Sequence, residues 1–201
     1  SVDYKTSHGN IHALENVEFQ LEDGESIGIA GESACGKSTL GLSIIRMIQG
    51  GNIVSGKITF MDESILDMPE SKFDESIRWK EISMIFQGAM NSLDPVFTIQ
   101  QQFDEVLKQH GFDSNADKII RDAIRAVNLD YSVLEKYPHE LSGGMKQRIV
   151  IAMALLLKPK FVIADEPTTA VDVLVQAKII NLLKNLKKKG MSLMLISHDL
   201  A

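Results

Sequence analysis

Short apolar runs along the chain alternate with stretches of helical period. Residues 11–30, "IHALENVEFQLEDGESIGIA", alternate loosely and close on an apolar strand, "SIGIA", that ends at Gly31. A helix is predicted from about Ser38 to Ile48, stopped by Gly50 and Gly51. "GKITF" reads as a further strand, and "ISMIF", residues 82–86, as a buried one leading to Gln87. From Gly88 to about Pro159 the texture turns helical, with turn residues at Asp94-Pro95, Gly111 and Tyr137-Pro138. "KFVIADE" and "MSLMLISH" then restore two buried strands, with a helix from Val173 to Lys189 between them. Strand, loop, helix and strand at these spacings predict an α/β fold with a parallel sheet, into which the helical middle is inserted.

Composition narrows this picture. With 201 residues, 44% apolar and 24% charged, the chain fits one globular domain with a sizeable core and argues against disorder. Its 27 acidic and 21 basic residues give a net charge of −6, which speaks against a nucleic-acid binder relying on a basic face. Nucleotide ligands stay open, because loops can hold phosphate through backbone N–H groups. The single cysteine, Cys35, rules out an internal disulfide and fits a reducing compartment. No apolar run approaches the roughly 18–20 residues that span a bilayer. The chain opens on Ser1 rather than Met and closes within "LISHDLA", so both ends read as cut and the lack of a signal peptide carries no weight.

The chemistry concentrates at three places. "GESACGKST" matches G-x-x-x-x-G-K-[ST] from Gly31 to Ser38, after an apolar strand and before a helix. Gly31, Glu32, Ser33, Ala34, Cys35 and Gly36 would curl so that backbone N–H groups face phosphates. Lys37 would reach the β- and γ-phosphates, the Ser38 hydroxyl would coordinate Mg²⁺ and Thr39 would touch the α-phosphate. A plain glycine turn with an exposed lysine is the bland alternative, and both flanks speak against it. Cys35 lacks a catalytic or metal-binding partner in the pattern and is read as a bystander.

The second place is "FVIADE", which puts Asp165 at the carboxyl end of a buried strand, where open α/β sheets bind ligands and where a metal's water shell needs a carboxylate. Glu166, one residue on, could accept a proton from an attacking water. Alone, two acids there could be a solvated strand end; the upstream phosphate loop lowers the weight of that reading. The third is "LSGGMKQR", residues 141–148, ahead of the apolar run "IVIAMALLL". A helix from Met145 to about Leu157, capped by Ser142 and stopped before Pro159, would aim its N-terminal N–H groups at an anion.

These residues resemble one family closely: the ATP-binding cassette (ABC) ATPases. The phosphate loop, Gln87 after a buried strand, "LSGG", "ADEP" and His198 after a last strand occur in the family's order, and the likeness spans nearly the whole chain. "GESACGKST", "MIFQGAMNSLDP", "YPHELSGGMKQR" and "ADEPTTAVD" are similar to the dipeptide, oligopeptide and nickel import branch, to which Met145 in place of glutamine also belongs. Ala34 and Val171 depart from the commoner residues without removing a ligand. The end at Ala201 departs further, since relatives run on for about another hundred residues.

The resemblance implies a P-loop NTPase core over 1–87 and 160–201, with a parallel sheet, an N-terminal antiparallel β part and an inserted helical subdomain over 88–159. It implies ATP and Mg²⁺ as cofactors and a Mg-dependent ATPase. Tyr4 would stack on adenine, although a plain strand residue is the alternative. His198 would contact the γ-phosphate, against the alternative of a strand-end histidine satisfied by backbone. Gln87 would touch Mg²⁺ or the attacking water, Ser38 and Asp165 would serve the metal, and Glu166 would act as base. Asp172 would bridge to a second ABC subunit, identical or homologous. Ser142, Gly143 and Gly144 would bind the γ-phosphate of the nucleotide held by that partner. Transmembrane permease subunits would dock near residues 88–97, an extracellular substrate-binding protein would act indirectly, and nucleic acid would not be a partner. The place implied is the cytoplasmic face of the cell membrane, peripherally.

The runner-up is a soluble ABC ATPase working on DNA or ribosomes. Chromosome-type members separate phosphate loop and signature by long coiled coils, whereas no sustained heptads lie between them here. The cargo, whether peptide, nickel or sugar, is not legible in this subunit. Lys187, Lys188 and Lys189 read as a solvated helix end complementing the dipole. His8, His12, His110 and His139 show no metal-ligand spacing, and Met84, Met153 and Met194 read as core.

Overall fold

A computed structural model describes residues 1–7, 9–112, 114–169 and 171–198. The strands are β1 (Val2–Thr6), β2 (Gly9–Leu14), β3 (Ser26–Ala30), β4 (Gly51–Ile53), β5 (Thr59–Phe60), β6 (Glu63–Ser64), β7 (Ile82–Ile85), β8 (Phe161–Asp165) and β9 (Ser192–Ser197). The helices are α1 (Lys37–Ile44), α2 (Glu70–Ser76), α3 (Ile99–Gln109), α4 (Ala116–Ala126), α5 (Gly143–Ala154) and α6 (Val173–Lys187). The main sheet is parallel in the order β3-β9-β8-β7, and a second, antiparallel sheet runs β2-β1-β4.

Period-two alternation along the central strands sends side chains to both faces of the parallel sheet. Ile82, Met84, Phe161, Ile163, Met194 and Ile196 join α1 and α2 in one core. Ile85, Val162, Ala164 and Leu193 join α3, α4, α5 and α6 in the other. That is why these strands read as continuous apolar runs: both faces are covered. Asp165 follows Ile163 in the alternation and so lies on the α1 side, toward the phosphate loop.

The departures from expectation are local. Helix α1 ends at Ile44 rather than near Ile48, because Arg46 turns left-handed at φ 56°. Its guanidinium then donates to the Ile65 and Met68 carbonyls, fastening the segment ahead of α2. Helix α2, not anticipated from the sequence, forms around fully buried Phe73, with the guanidinium groups of Arg46 and Arg78 over its ring at 4.9 and 5.0 Å. Residues 15–25 form no strand, and "GKITF" contributes only the two residues of β5. Among the described residues 88–159, helices and turns are found and strands are not.

Candidate functional site: a phosphate loop and a caged carboxylate

The phosphate loop is shaped by backbone that few residues tolerate. Ala34 sits at φ 65° and Gly36 at φ 92°. A Cβ at Gly36 would lie 2.3 Å from the Ala13 carbonyl oxygen, so the end of β2 presses against the loop and glycine is required twice over. Lys37, buried at the start of α1, donates to the carbonyl oxygens of Gly31 at 2.8 Å and Glu32 at 2.6 Å. Its ammonium is thereby held within the turn of the loop. Glu32, Ser33, Ala34 and Cys35 are exposed. Gly41, one turn into α1, lets the helix lie close on the sheet, since a Cβ there would be 3.1 Å from Ile163 and Met84.

Across from the loop, Asp165 is 3% exposed at the carboxyl end of β8. Burial raises its carboxyl above the usual carboxylate range, against a hydrogen bond with Ser38 and the charge of Lys37; the charge of Glu166 adds to the rise. Its Oδ1 is buried without a hydrogen-bond partner. An orphaned carboxylate oxygen beside a serine hydroxyl is a donor set suited to Mg²⁺, which binds through one or two protein oxygens and keeps water and phosphate for the rest. Among the described residues, no cluster of three or more His, Cys, Asp or Glu side chains could hold a metal by itself.

Glu166 is caged. Its backbone is left-handed at φ 47°, held there by its N–H donating to the Ile196 carbonyl at 3.0 Å. Gln87 Nε2 donates to Oε2 at 2.8 Å, and Thr169 Oγ1 donates to the same oxygen at 3.0 Å. His198 Nδ1 lies 2.8 Å from Oε1; because a carboxylate only accepts, that nitrogen carries the proton. Partial burial alone would raise the Glu166 carboxyl, yet the hydrogen bonds from His198 and Thr169, with the positive charges of His198 and Lys37, hold it below its ordinary value. Adjacent acids are thus pushed apart, one toward protonation and one toward the ionised base. Gln87 and His198, expected at metal or water and at the γ-phosphate, are both placed on Glu166.

The "LSGG" segment lies on the other core. Ser142 caps α5 by accepting from the Met145 N–H at 3.3 Å, and Ser142 and Gly143 are exposed. A Cβ on Gly144 would come within 2.9 Å of Val175 in the first turn of α6. Asp172 caps that helix, accepting from the Val175 N–H at 3.0 Å. Two capped helix N-termini therefore stand side by side. Tyr4, half-buried on β1, has its hydroxyl 3.4 Å from Thr39 Oγ1, and a Cβ on Gly51 would meet its ring at 2.8 Å. His12 pairs with Asp3, His110 lies 6.2 Å from the Trp79 ring centroid and His139 stacks on Tyr137. His8 lies outside the described residues.

Comparison with known proteins now settles the family. A sequence profile described as "ABC transporter" matches residues 14–169. The chain belongs to the ABC transporter family. Among its ABC relatives, "Probable peptide ABC transporter ATP-binding protein y4tR" of Sinorhizobium fredii is 44% identical over 195 residues, covering 94% of this chain and 58% of that protein. The oligopeptide transport ATP-binding protein OppD of Escherichia coli is 40% identical over 205 residues, covering 99% and 60%. The chain thus spans about three fifths of the length of these curated relatives. The dimeric cassette MJ0796 bound to ADP and Pi superposes with a TM-score of 0.85 at 28% identity, covering 98% of this chain and 84% of that one. The resemblance to the oligopeptide-import branch, and the ABC-ATPase core expected from it, are both borne out.

Three groups of this ABC site escaped the sequence reading: Thr169, Gln147 and Gln176. Gln147 Nε2 donates to the Pro167 carbonyl at 2.6 Å, and Gln176 Nε2 reaches the carbonyls of Thr168 and Val171, each at 3.3 Å. Gln147 is buried, yet it stands between the charged Lys146 and Arg148 in the chain, so nothing in the sequence marked it.

Proposed function

We propose that this chain is the ATP-hydrolysing, nucleotide-binding part of a subunit that powers a membrane importer of peptides or nickel. The observation that carries this reading is the Glu166 carboxylate, ionised and held by hydrogen bonds beside Asp165 and the phosphate loop. The branch to which OppD belongs supports peptide cargo. The dimer of MJ0796 supports a second subunit.

In this reading, Gly31 to Thr39 cradle the triphosphate, with Lys37 on the β- and γ-phosphates and Tyr4 at the adenine. Ser38, Asp165 and Gln87 would hold Mg²⁺, which when bound neutralises charge on the β- and γ-oxygens. Glu166 orients a water in line with the γ-phosphorus and takes its proton, and His198 contacts the transferring group. The capped N-terminus at Ser142, Gly143 and Gly144 faces the γ-phosphate of the partner's nucleotide, and Asp172 bridges between subunits. Residues 88–159 act as the helical subdomain. Permease subunits dock near 88–97, where Val96 is 71% exposed and Phe97 and Phe86 also face outward. No helix among the described residues is long and apolar enough to cross a membrane. In this reading the subunit sits peripherally on the cytoplasmic face of the cell membrane.

Glu166→Gln tests the reading. It removes the base while keeping the side chain's shape, so ATP binding should persist, the ATP-bound dimer should accumulate and turnover should fall by about 10²-fold or more. Hydrolysis by this variant at the wild-type rate overturns the assignment.

A further inference from the structure

Glu166 is held at two levels: its carboxylate by side chains, and its backbone by what grips the loop behind it. The Glu166 N–H is fixed to β9, and the next residue, Pro167, has no N–H to offer, so its carbonyl is the following point at which the loop can be fastened. That carbonyl accepts from Gln147 Nε2 at 2.6 Å. Gln147 is 2% exposed and sits one turn into α5, the helix that begins at the exposed Ser142 and Gly143. The same loop is gripped from α6 by Gln176, and α5 and α6 abut where Gly144 leaves room for Val175. A left-handed glutamate persists only where its surroundings over-determine it, and the buried amide is the part of those surroundings that comes from α5.

We propose that Gln147 is a positioning residue for Glu166: through the Pro167 carbonyl it fixes the loop from which the carboxylate projects, and ties it to the helix whose N-terminus carries the "LSGG" segment. The inference rests on the ATPase reading above and extends it. The two places at which one chain serves two nucleotides become a single rigid piece. A shift of the α5 N-terminus, as a partner's nucleotide engages it, reaches Glu166 of the same chain through one buried hydrogen bond. The remaining contacts of the carboxylate, from Gln87, Thr169 and His198, set its orientation once the loop is in place.

Gln147→Met, which keeps length and removes the N–H, tests this in the full chain. Turnover should fall by about 10-fold or more with the KM for ATP within about twofold of wild type, because misplacement of a base acts on the chemical step. In a Glu166→Gln background the same substitution should change residual turnover by less than about twofold, since there is no base left to misplace. Hydrogen exchange of amides 166–172 should quicken while that of α5 beyond its first turn stays as in wild type. A kcat within twofold of wild type, an equal fold loss in both backgrounds, or unaltered exchange in 166–172 overturns the proposal. If the methionine variant does not fold, Gln147→Asn, which withdraws the amide by one methylene, is judged by the same three outcomes. Absence of ATP hydrolysis by the wild-type chain, or full activity of Glu166→Gln, counts instead against the ATPase reading, and the exchange measurement still decides whether Gln147 holds the loop.

Discussion

The phosphate-loop end of the sheet and the N-terminus of α5 both offer backbone N–H groups to an anion, but they are built in opposite ways. The first is strained and electrostatically loaded: Ala34, Gly36 and Glu166 are left-handed, and Asp165 buries an oxygen without a partner. The second is relaxed. Ser142 and Asp172 cap their helices from extended backbone at φ −67°, and residues 141–148 include no positive φ. Strain collects where reacting atoms must be held against alternatives, whereas a surface that only closes over a ligand can be an ordinary helix end. The phosphate-loop half is over-determined, and the α5 half is an ordinary capped helix start.

Substitutions in the two halves should therefore differ in kind as well as in size. Gly36→Ala has the largest expected effect: a left-handed alanine whose Cβ meets the Ala13 carbonyl should cost about 3 kcal/mol of stability and abolish detectable ATP binding. Equilibrium unfolding in urea and nucleotide titration check this, and wild-type affinity would mean the loop is less constrained than its geometry indicates. Asp165→Asn should move stability the other way. Because burial raises the Asp165 carboxyl, folding favours its protonated form, so that with Mg²⁺ chelated its stabilising effect is lost as pH rises through the folded value. Replacing the charge by an amide should then stabilise the metal-free protein by about 1 kcal/mol above that range, flatten the pH dependence and remove the extra stabilisation conferred by Mg-ATP. Thermal unfolding across pH, with and without Mg-ATP, reads both signs. The smallest effect belongs to the relaxed half. Ser142→Ala should cost about 1 kcal/mol or less, the usual value of an exposed cap, and leave ATP binding by the monomeric chain unchanged. A loss comparable to that of Gly36→Ala would erase the distinction between the halves.

Most of the local architecture was legible because β7, β8 and β9 are covered on both faces and therefore largely apolar, and because the phosphate loop is contiguous in sequence. Val173 to Lys189 and the Ser142 cap were legible for the same reason: their signals lie within a turn or two. What escaped depends on partners far along the chain. The early end of α1 follows from Arg46 reaching back to carbonyls beside α2, and α2 itself is stabilised by two arginines on Phe73 rather than by its own periodicity. At the site, the resemblance assigned Gln87, Glu166 and His198 separate contacts with metal, water and γ-phosphate but could not say that Gln87 and His198 both bond to Glu166. Thr169 and Gln147 were invisible as site residues because a hydroxyl or an amide has no signature until its acceptor is known.

The strand order carries one more consequence, for how the protein is made. Among the described residues, β3 pairs within the parallel sheet only with β9, Ser26 opposite Leu193 and Ala30 opposite Ser197. The strand that leads into the phosphate loop thus emerges from the ribosome long before its sheet partner and must wait, that partner unsynthesised, until β9 has left the exit tunnel. Closing so long a span comes late and slowly, and the unpaired edge in the meantime is a natural target for holding chaperones. A nascent chain arrested before β9 should consequently be unable to retain nucleotide, however complete its sequence motif.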